Sequence, residues 1–143
     1  MNESKNNINF DFLTITTSVN EEIIEKVLDY MSRSYWANNR APEKTRKAIQ
    51  NSLCFSLFYK GLQIGFARVI TDYTTHAYLC DVFMDENFRG AGIGQWFIKE
   101  MIDYPELKEL RRWFLLTKDA QTFYQKNGFK YLDDCKKYLE LVR

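Results

Sequence analysis

Three glycines alternate in the run Arg89-Gly90-Ala91-Gly92-Ile93-Gly94, between an apolar stretch that ends at Met84 and a helical pattern that begins at Ile93. Glycines spaced in this way let a ligand approach the backbone and leave N–H groups unshielded. At a helix start those amides join the partial positive end of the helix dipole, and consecutive loop amides form a concavity that holds an anion without a lysine. A diphosphate suits that chemistry. No Gly-Lys-Ser/Thr follows, and Gln95 stands where G-x-G-x-x-G needs its third glycine, so nucleotide hydrolysis and dinucleotide binding lose weight. Taken alone, the trio serves a tight turn equally well. Its neighbours decide between the two.

The hydrophobic period supplies those neighbours. Residues 10–17 predict a strand, Asn20 offers a helix cap, and Ile23, Ile24, Val27, Leu28 and Met31 recur at helical spacing until near Arg33. Pro42-Glu43 opens a second helix that runs to Gln50. Apolar runs at 52–59, 62–71 and 77–84, divided by Lys60-Gly61 and by residues 72–76, predict three consecutive antiparallel strands. Beyond the glycine loop, Ile93, Trp96, Phe97 and Met101 predict a third helix that stops before Pro105. A strand at 113–117, a helix at 120–126 ended by Asn127-Gly128, and two last strands at 129–132 and 138–142 complete the pattern. The expected fold is one α/β (α+β) domain over 10–143 behind a flexible tail at 1–9. Its mixed, mostly antiparallel sheet has about seven strands, flanked by about four helices.

Composition narrows the function classes. With 143 residues, 45% of them hydrophobic, the chain builds one domain with a real core. Its 20 Lys plus Arg nearly cancel 19 Asp plus Glu, which argues against nucleic acid or an anionic membrane as partner. Cys54, Cys80 and Cys135 are odd in number and far apart, which fits neither a disulfide framework nor a zinc cluster, and no metal is expected. The first ten residues lack the apolar core of a secretory signal, and no later run approaches the roughly 20 apolar residues that span a bilayer, so a cytoplasmic location is expected.

The segment Arg89, Gly92, Gly94 matches Arg or Gln, two residues, Gly, one residue, Gly or Ala, and so resembles the acetyl-CoA signature of the GNAT superfamily. It follows the fourth predicted strand and opens the third predicted helix, as it does in that family. Asp119-Ala120 followed by Phe123-Tyr124-Gln125-Lys126-Asn127-Gly128-Phe129 looks like the family's closing segment. Residues 51–81 resemble an uncharacterised bacterial subgroup. The resemblance implies an N-acetyltransferase that uses acetyl-CoA as co-substrate. It implies that the backbone of Val82, Phe83 and Met84 receives the pantetheine arm like an added strand. Arg89 and the amides of Gly90, Ala91, Gly92, Ile93, Gly94 and Gln95 are then expected to hold the diphosphate, with Asp119 and Phe123 on the other side of the arm. Many members carry Asn where this chain has Asp119, and an ionised carboxylate can only accept hydrogen bonds.

Acetyl transfer needs a neutral amine, an acceptor for its proton and a donor for the leaving thiolate. Tyr124 falls at the family's acid position. Asp81 is a candidate base in an apolar strand. If residues 72–76 close symmetrically about Thr74 and Thr75, however, Arg68 stands directly opposite Asp81 and an ion pair is the better reading. His76, the single histidine, is a third candidate, and water is a fourth. A covalent route through Cys54 or Cys80 is disfavoured, since neither has a histidine nearby in sequence. Tyr35, Trp36 and Arg40 lie between the first two helices, where the family shapes its amine pocket. The expected acceptor is a small-molecule primary amine, with the protein a monomer or homodimer. Acetylation of protein or peptide amines, and an acyl-CoA-binding module without catalysis, are the alternatives.

Overall fold

A computed structural model describes residues 7–143. Of the expected tail, residues 1–6 lie outside the described residues, while Ile8 packs against the core. The Asn9 side chain accepts from the Asp11 amide, turning Phe10–Phe12 into a short 3-10 turn, so strand β1 is confined to Leu13–Thr16.

Helix α1 (Glu21–Ser32) starts where the Asn20 side chain accepts from Ile23 N at 2.8 Å. Its apolar stripe buries Ile23, Ile24, Val27, Tyr30 and Met31. Helix α2 (Pro42–Gln50) begins with proline, whose missing N–H is no loss at that position. It buries only Thr45 and Ile49, and Arg46 ties it to Glu21 and Glu25 of α1 at 2.7 and 2.6 Å. Strands β2 (Leu53–Tyr59), β3 (Leu62–Thr71) and β4 (His76–Met84) then form an antiparallel meander. Helix α3 (Ile93–Ile102) carries the chain back to β5 (Arg112–Leu115), which lies parallel to β4. Helix α4 (Gln121–Gln125) follows.

The sheet order is β1-β2-β3-β4-β5. One face packs on α1 and α2 through Val27, Tyr30, Ile49, Phe66 and Phe83. The other packs on α3 through Leu57, Ile64, Val69, Phe97 and Met101. No helix among the described residues is long and apolar enough to cross a membrane.

The mixed α/β domain with four helices agrees with the expected fold, but the sheet has five strands, not seven. Residues 129–132 and 138–142 do not pair. The Asp134 carboxylate accepts from Lys136 N at 3.1 Å and turns Cys135–Lys137 into a 3-10 turn, so no hairpin closes. Leu139 and Leu141 beyond it stay exposed.

A second departure lies inside β4. Near the hairpin Arg68 pairs with Cys80, but further along Phe66 pairs with Phe83, so Asp81 and Val82 together oppose Ala67. This is a bulge, and Asp81 takes its left-handed conformation, φ +51°. The strand changes faces there. Ala77 and Leu79 belong to the α3-side core, whereas Phe83 belongs to the α1-side core. The expected direct opposition of Arg68 and Asp81 is therefore off by one residue, because the hairpin closes about Thr74 alone, with Thr71 paired to Ala77.

Candidate active site

β4 and β5 pair only from His76 with Arg112 to Leu79 with Leu115. Beyond Leu79 they part, and a groove of about 660 Å³ opens between Val82, Phe83 and Met84 on one side and Asp119, Ala120, Phe123 and Tyr124 on the other. Tyr35 and Trp36 border it from the α1–α2 connection, and Arg89, Gly90, Gly92, Gly94 and Gln95 close its far end. Most of the candidates from the sequence thus converge on one cleft. Ala91 and Ile93 do not line it, and Ile93 is buried in the core beneath α3.

The glycine loop opens α3 in a way that only its sequence allows. Gly92 is the cap residue at φ +81°, where a side chain is strained, and no side chain caps the first amides of the helix. Gly92, Gly94 and Gln95 of this uncapped turn line the groove with Arg89 and Lys126, a setting that suits an anion. Gly94 has a different reason to be glycine: a Cβ there would stand 3.0 Å from Phe123 Cε2. Gln95 works through its side chain, with Nε2 donating to Phe123 O at 2.8 Å and Oε1 accepting from Asn127 Nδ2 at 2.8 Å. Arg89 donates from Nε to Met84 O at 2.9 Å and lies over the Phe83 ring.

Tyr124 lines the groove, packed edge-on against Phe123 and Phe129. Burial, with the nearby Tyr35 phenol adding to it, pushes its hydroxyl up to about 12, so it keeps its proton at neutral pH. Tyr35 spans from the opposite wall, its hydroxyl accepting from the Lys118 amide at 3.1 Å.

Asp81 does not line the groove; it sits behind Trp36. The cross-strand ion pair forms despite the shifted register, with Arg68 Nε 2.9 Å from Oδ2. Oδ1 accepts from Arg40 Nη2 at 2.8 Å and from Trp36 Nε1 at 3.0 Å. Burial by itself would raise this carboxyl, but the Arg40 and Arg68 guanidinium groups outweigh it and hold the group below the usual carboxylate range. That environment is the opposite of what a general base needs. His76 lies at the far end of β4, about 25 Å from Met84 along the strand. It is exposed, stacked on Phe114 and bonded through Nδ1 to Thr75 Oγ1. Burial pushes the Cys80 thiol up to about 11 and Cys54 up to about 12, which leaves neither as a ready nucleophile.

Sequence reasoning missed Arg33, Phe88, Ala120 and Lys126 as lining residues. Arg33 ends α1 and reaches Glu86 in a bidentate pair at 2.9 and 3.0 Å while also bonding Asp29. Only the fold, not a sequence spacing, brings residues 33 and 86 together.

A cleft between diverging parallel strands, floored by uncapped helix amides, defines an α/β domain built to take a long anionic ligand against a strand edge. A family model described as an acetyltransferase (GNAT) domain matches residues 50–131. An uncharacterised N-acetyltransferase of Gracilaria tenuistipitata var. liui is 31% identical over 125 residues, covering 82% of this chain and 66% of that one. A crystal structure from Xanthomonas campestris pv. campestris, described as belonging to the GNAT family, aligns with a TM-score of 0.82 and 33% identity over 92% of this chain and 93% of its own. A Clostridium acetobutylicum structure determined with acetyl-CoA shares the fold at a TM-score of 0.68 and 16% identity, over 91% of this chain and 96% of that one. The chain belongs to the GNAT acetyltransferase family. Its match spans 63% and 66% of the length of two curated relatives.

Proposed function

We propose that this protein is an acetyl-CoA-dependent N-acetyltransferase that passes the acetyl group directly to the primary amine of a small molecule. The observation that carries this reading is Tyr124, a phenol that holds its proton to about 12, in the same groove as the uncapped amides of α3. The groove fits the co-substrate. Val82 and Met84 line the groove on the β4 edge that β5 has left, where the pantetheine amides would lie, the loop from Gly90 to Gln95 with Arg89 and Lys126 receives phosphate charge, and Phe123 covers the arm. Acetyl-CoA supplies an activated thioester carbon. The amine nitrogen bonds to that carbon, the carbon–sulfur bond breaks, and Tyr124 gives its proton to the departing sulfur. The amine's own proton passes to water, since the Asp81 carboxylate is occupied by two guanidinium groups and His76 is remote. Solvent then reprotonates Tyr124.

A small acceptor suits the walls. Tyr35, Trp36 and Tyr124 offer aromatic surface, and Asp119 is the one carboxylate among the described lining residues, so a polycation finds little to pair with. A panel of amines, amino acids, polyamines and peptides, incubated with acetyl-CoA and followed by free-thiol release, tests the proposal. Turnover of a small amine is expected. Acetyl-CoA binding with no turnover across the panel would mark a binding module, and preference for a peptide would replace the acceptor class.

A further inference from the structure

We propose that Asp81 is a positioning residue for the acceptor: its buried carboxylate anchors Trp36 and Arg40 and, through Trp36, holds Tyr35 across the groove against the Lys118 amide. This rests on the N-acetyltransferase reading for the word acceptor, but its structural content stands by itself.

Apart from the burial of Ala37 and the contact of the Trp36 ring with Phe83, the α1–α2 connection has few ties to the sheet. Inside it, Ser34 Oγ donates to Met31 O and accepts from Ala37 N, which shapes the turn without tying it to the sheet. Among the described residues, the polar ties that residues 35–40 make beyond α1 lead to two places. Trp36 Nε1 and Arg40 Nη2 reach Asp81 Oδ1, and Tyr35 Oη reaches Lys118 N. Tyr35 and Trp36 meet edge to face with ring centroids 5.1 Å apart, so the anchored indole sets the angle of the phenol. The anchor is itself rigid, because Arg68 Nε holds Oδ2 from the neighbouring strand and in turn donates from Nη1 to Ser52 Oγ at 3.1 Å.

The position of the anchor follows from the bulge. In a regular strand residue 81 would point with Ala77 and Leu79 into the α3-side core. The left-handed turn at Asp81 aims the carboxylate to the α1–α2 side, and one residue later the strand gives its backbone to the groove. One residue thus sets both the strand edge where the thioester arm would lie and the wall where the amine would enter. An Asp81 that merely stabilised the fold would need only Arg68. The second oxygen is spent wholly on the α1–α2 connection.

Amide and indole exchange by nitrogen-15 NMR on the full chain reads this coupling without any acceptor. Asp81→Asn is the first variant, since Asn tolerates the left-handed backbone. It should speed exchange of the Trp36 indole N–H about tenfold and of the Lys118 amide about threefold, while the Kd for acetyl-CoA stays within about twofold. Trp36→Phe leaves the carboxylate with both arginines, identifies the indole signal by its loss, and should speed Lys118 exchange by a similar factor. It decides the matter if Asp81→Asn fails to fold. Unchanged Lys118 exchange in the folded variant overturns the proposal. With an amine that the protein turns over, both variants should raise the acceptor KM about tenfold and keep the acid limb of the pH profile. Loss of that limb, with turnover down about 10²-fold and KM unmoved, makes Asp81 the base and overturns it as well. If no amine is turned over, the proposed function fails, and the exchange measurements still decide the role of Asp81.

Discussion

Replacing Gly94 with alanine separates two reasons for a glycine in an anion loop. The new Cβ would lie 3.0 and 3.1 Å from Phe123 Cε2 and Cζ and 3.8 Å from Met84 Cγ. Carbon atoms rest at about 3.5–4.0 Å, so the Phe123 ring has to retreat by about half an ångström. It cannot swing freely, since Tyr124 packs on it at 5.0 Å and its carbonyl holds Gln95. Overpacking of this kind costs about 1–3 kcal/mol, while alanine inside a helix regains about 1 kcal/mol over glycine. The net loss is about 0–2 kcal/mol, or a Tm fall of about 0–6 °C. Cofactor affinity should suffer more, because the displaced ring is the groove wall, and a Kd for acetyl-CoA raised about tenfold is expected. Gly92→Ala inverts the pattern. Its Cβ meets only Phe10 Cζ at 3.9 Å, but φ +81° strains any side chain by about 1–2 kcal/mol, which lowers Tm by about 3–6 °C. Thermal melts and calorimetry on both variants give the comparison. Wild-type acetyl-CoA affinity in Gly94→Ala would refute the reasoning, since the ring would then have moved without cost to the site.

Tyr124→Phe should lower turnover about 10²-fold with little change in acetyl-CoA binding, as steady-state kinetics and calorimetry would measure; because burial holds the phenol at about 12, its ionisation should not reduce wild-type turnover below about pH 10. Asp81→Ala strands two guanidinium groups and should cost about 3–5 kcal/mol in urea denaturation, whereas Arg68→Met leaves Arg40 and Trp36 on the carboxylate and should cost less. If Arg68→Met costs as much, Arg40 is no partner. The lowered Asp81 pKa also gives a sign. Its contribution is fully present above the unfolded value of about 3.9 and is lost as pH falls through the folded value, so Tm should drop on acidification below about pH 4, and less steeply in Asp81→Asn. Equal slopes in both proteins would remove Asp81 from the acid transition.

The helices and the meander were legible because each rests on local rules. Asn20 caps α1 with its own side chain, and Pro42 opens α2. Strand β3 and the glycine loop are bounded by turn residues that need no distant partner. What depended on distant atoms was misread. The register at Arg68 depends on where the turn closes, and it closes about Thr74 alone, one residue away from the symmetric closure expected; beyond that pair, a bulge at Asp81 adds a residue that no alternation pattern marks. The apolar residues 138–142 carry a strand's composition without a partner edge, and Asp134 bends the chain before they could pair. The candidate groove was legible as backbone, from residues 82–84 and 89–95. Its second layer was not: the Gln95 side chain, Arg33 with Glu86, and Trp36 with Asp81 join residues from 28 to 53 positions apart.

The clasp of Gln95 with Phe123 and Asn127 fixes how far apart the first turn of α3 and helix α4 stand, and it does so with two hydrogen bonds of 2.8 Å. The slot proposed for a pantetheine arm is therefore braced by bonds within the chain itself. A ligand that slides in has few side chains to immobilise, and each rotamer-rich side chain left free until binding would otherwise cost about 0.5–1.5 kcal/mol. Such a slot favours fast, nearly rigid docking on its α3–α4 wall and leaves adjustment to the Tyr35 side. The two substrates would thus meet unlike surfaces in one groove, the donor a preorganised one that discriminates by shape and the acceptor a wall that can be retuned by changing a few residues.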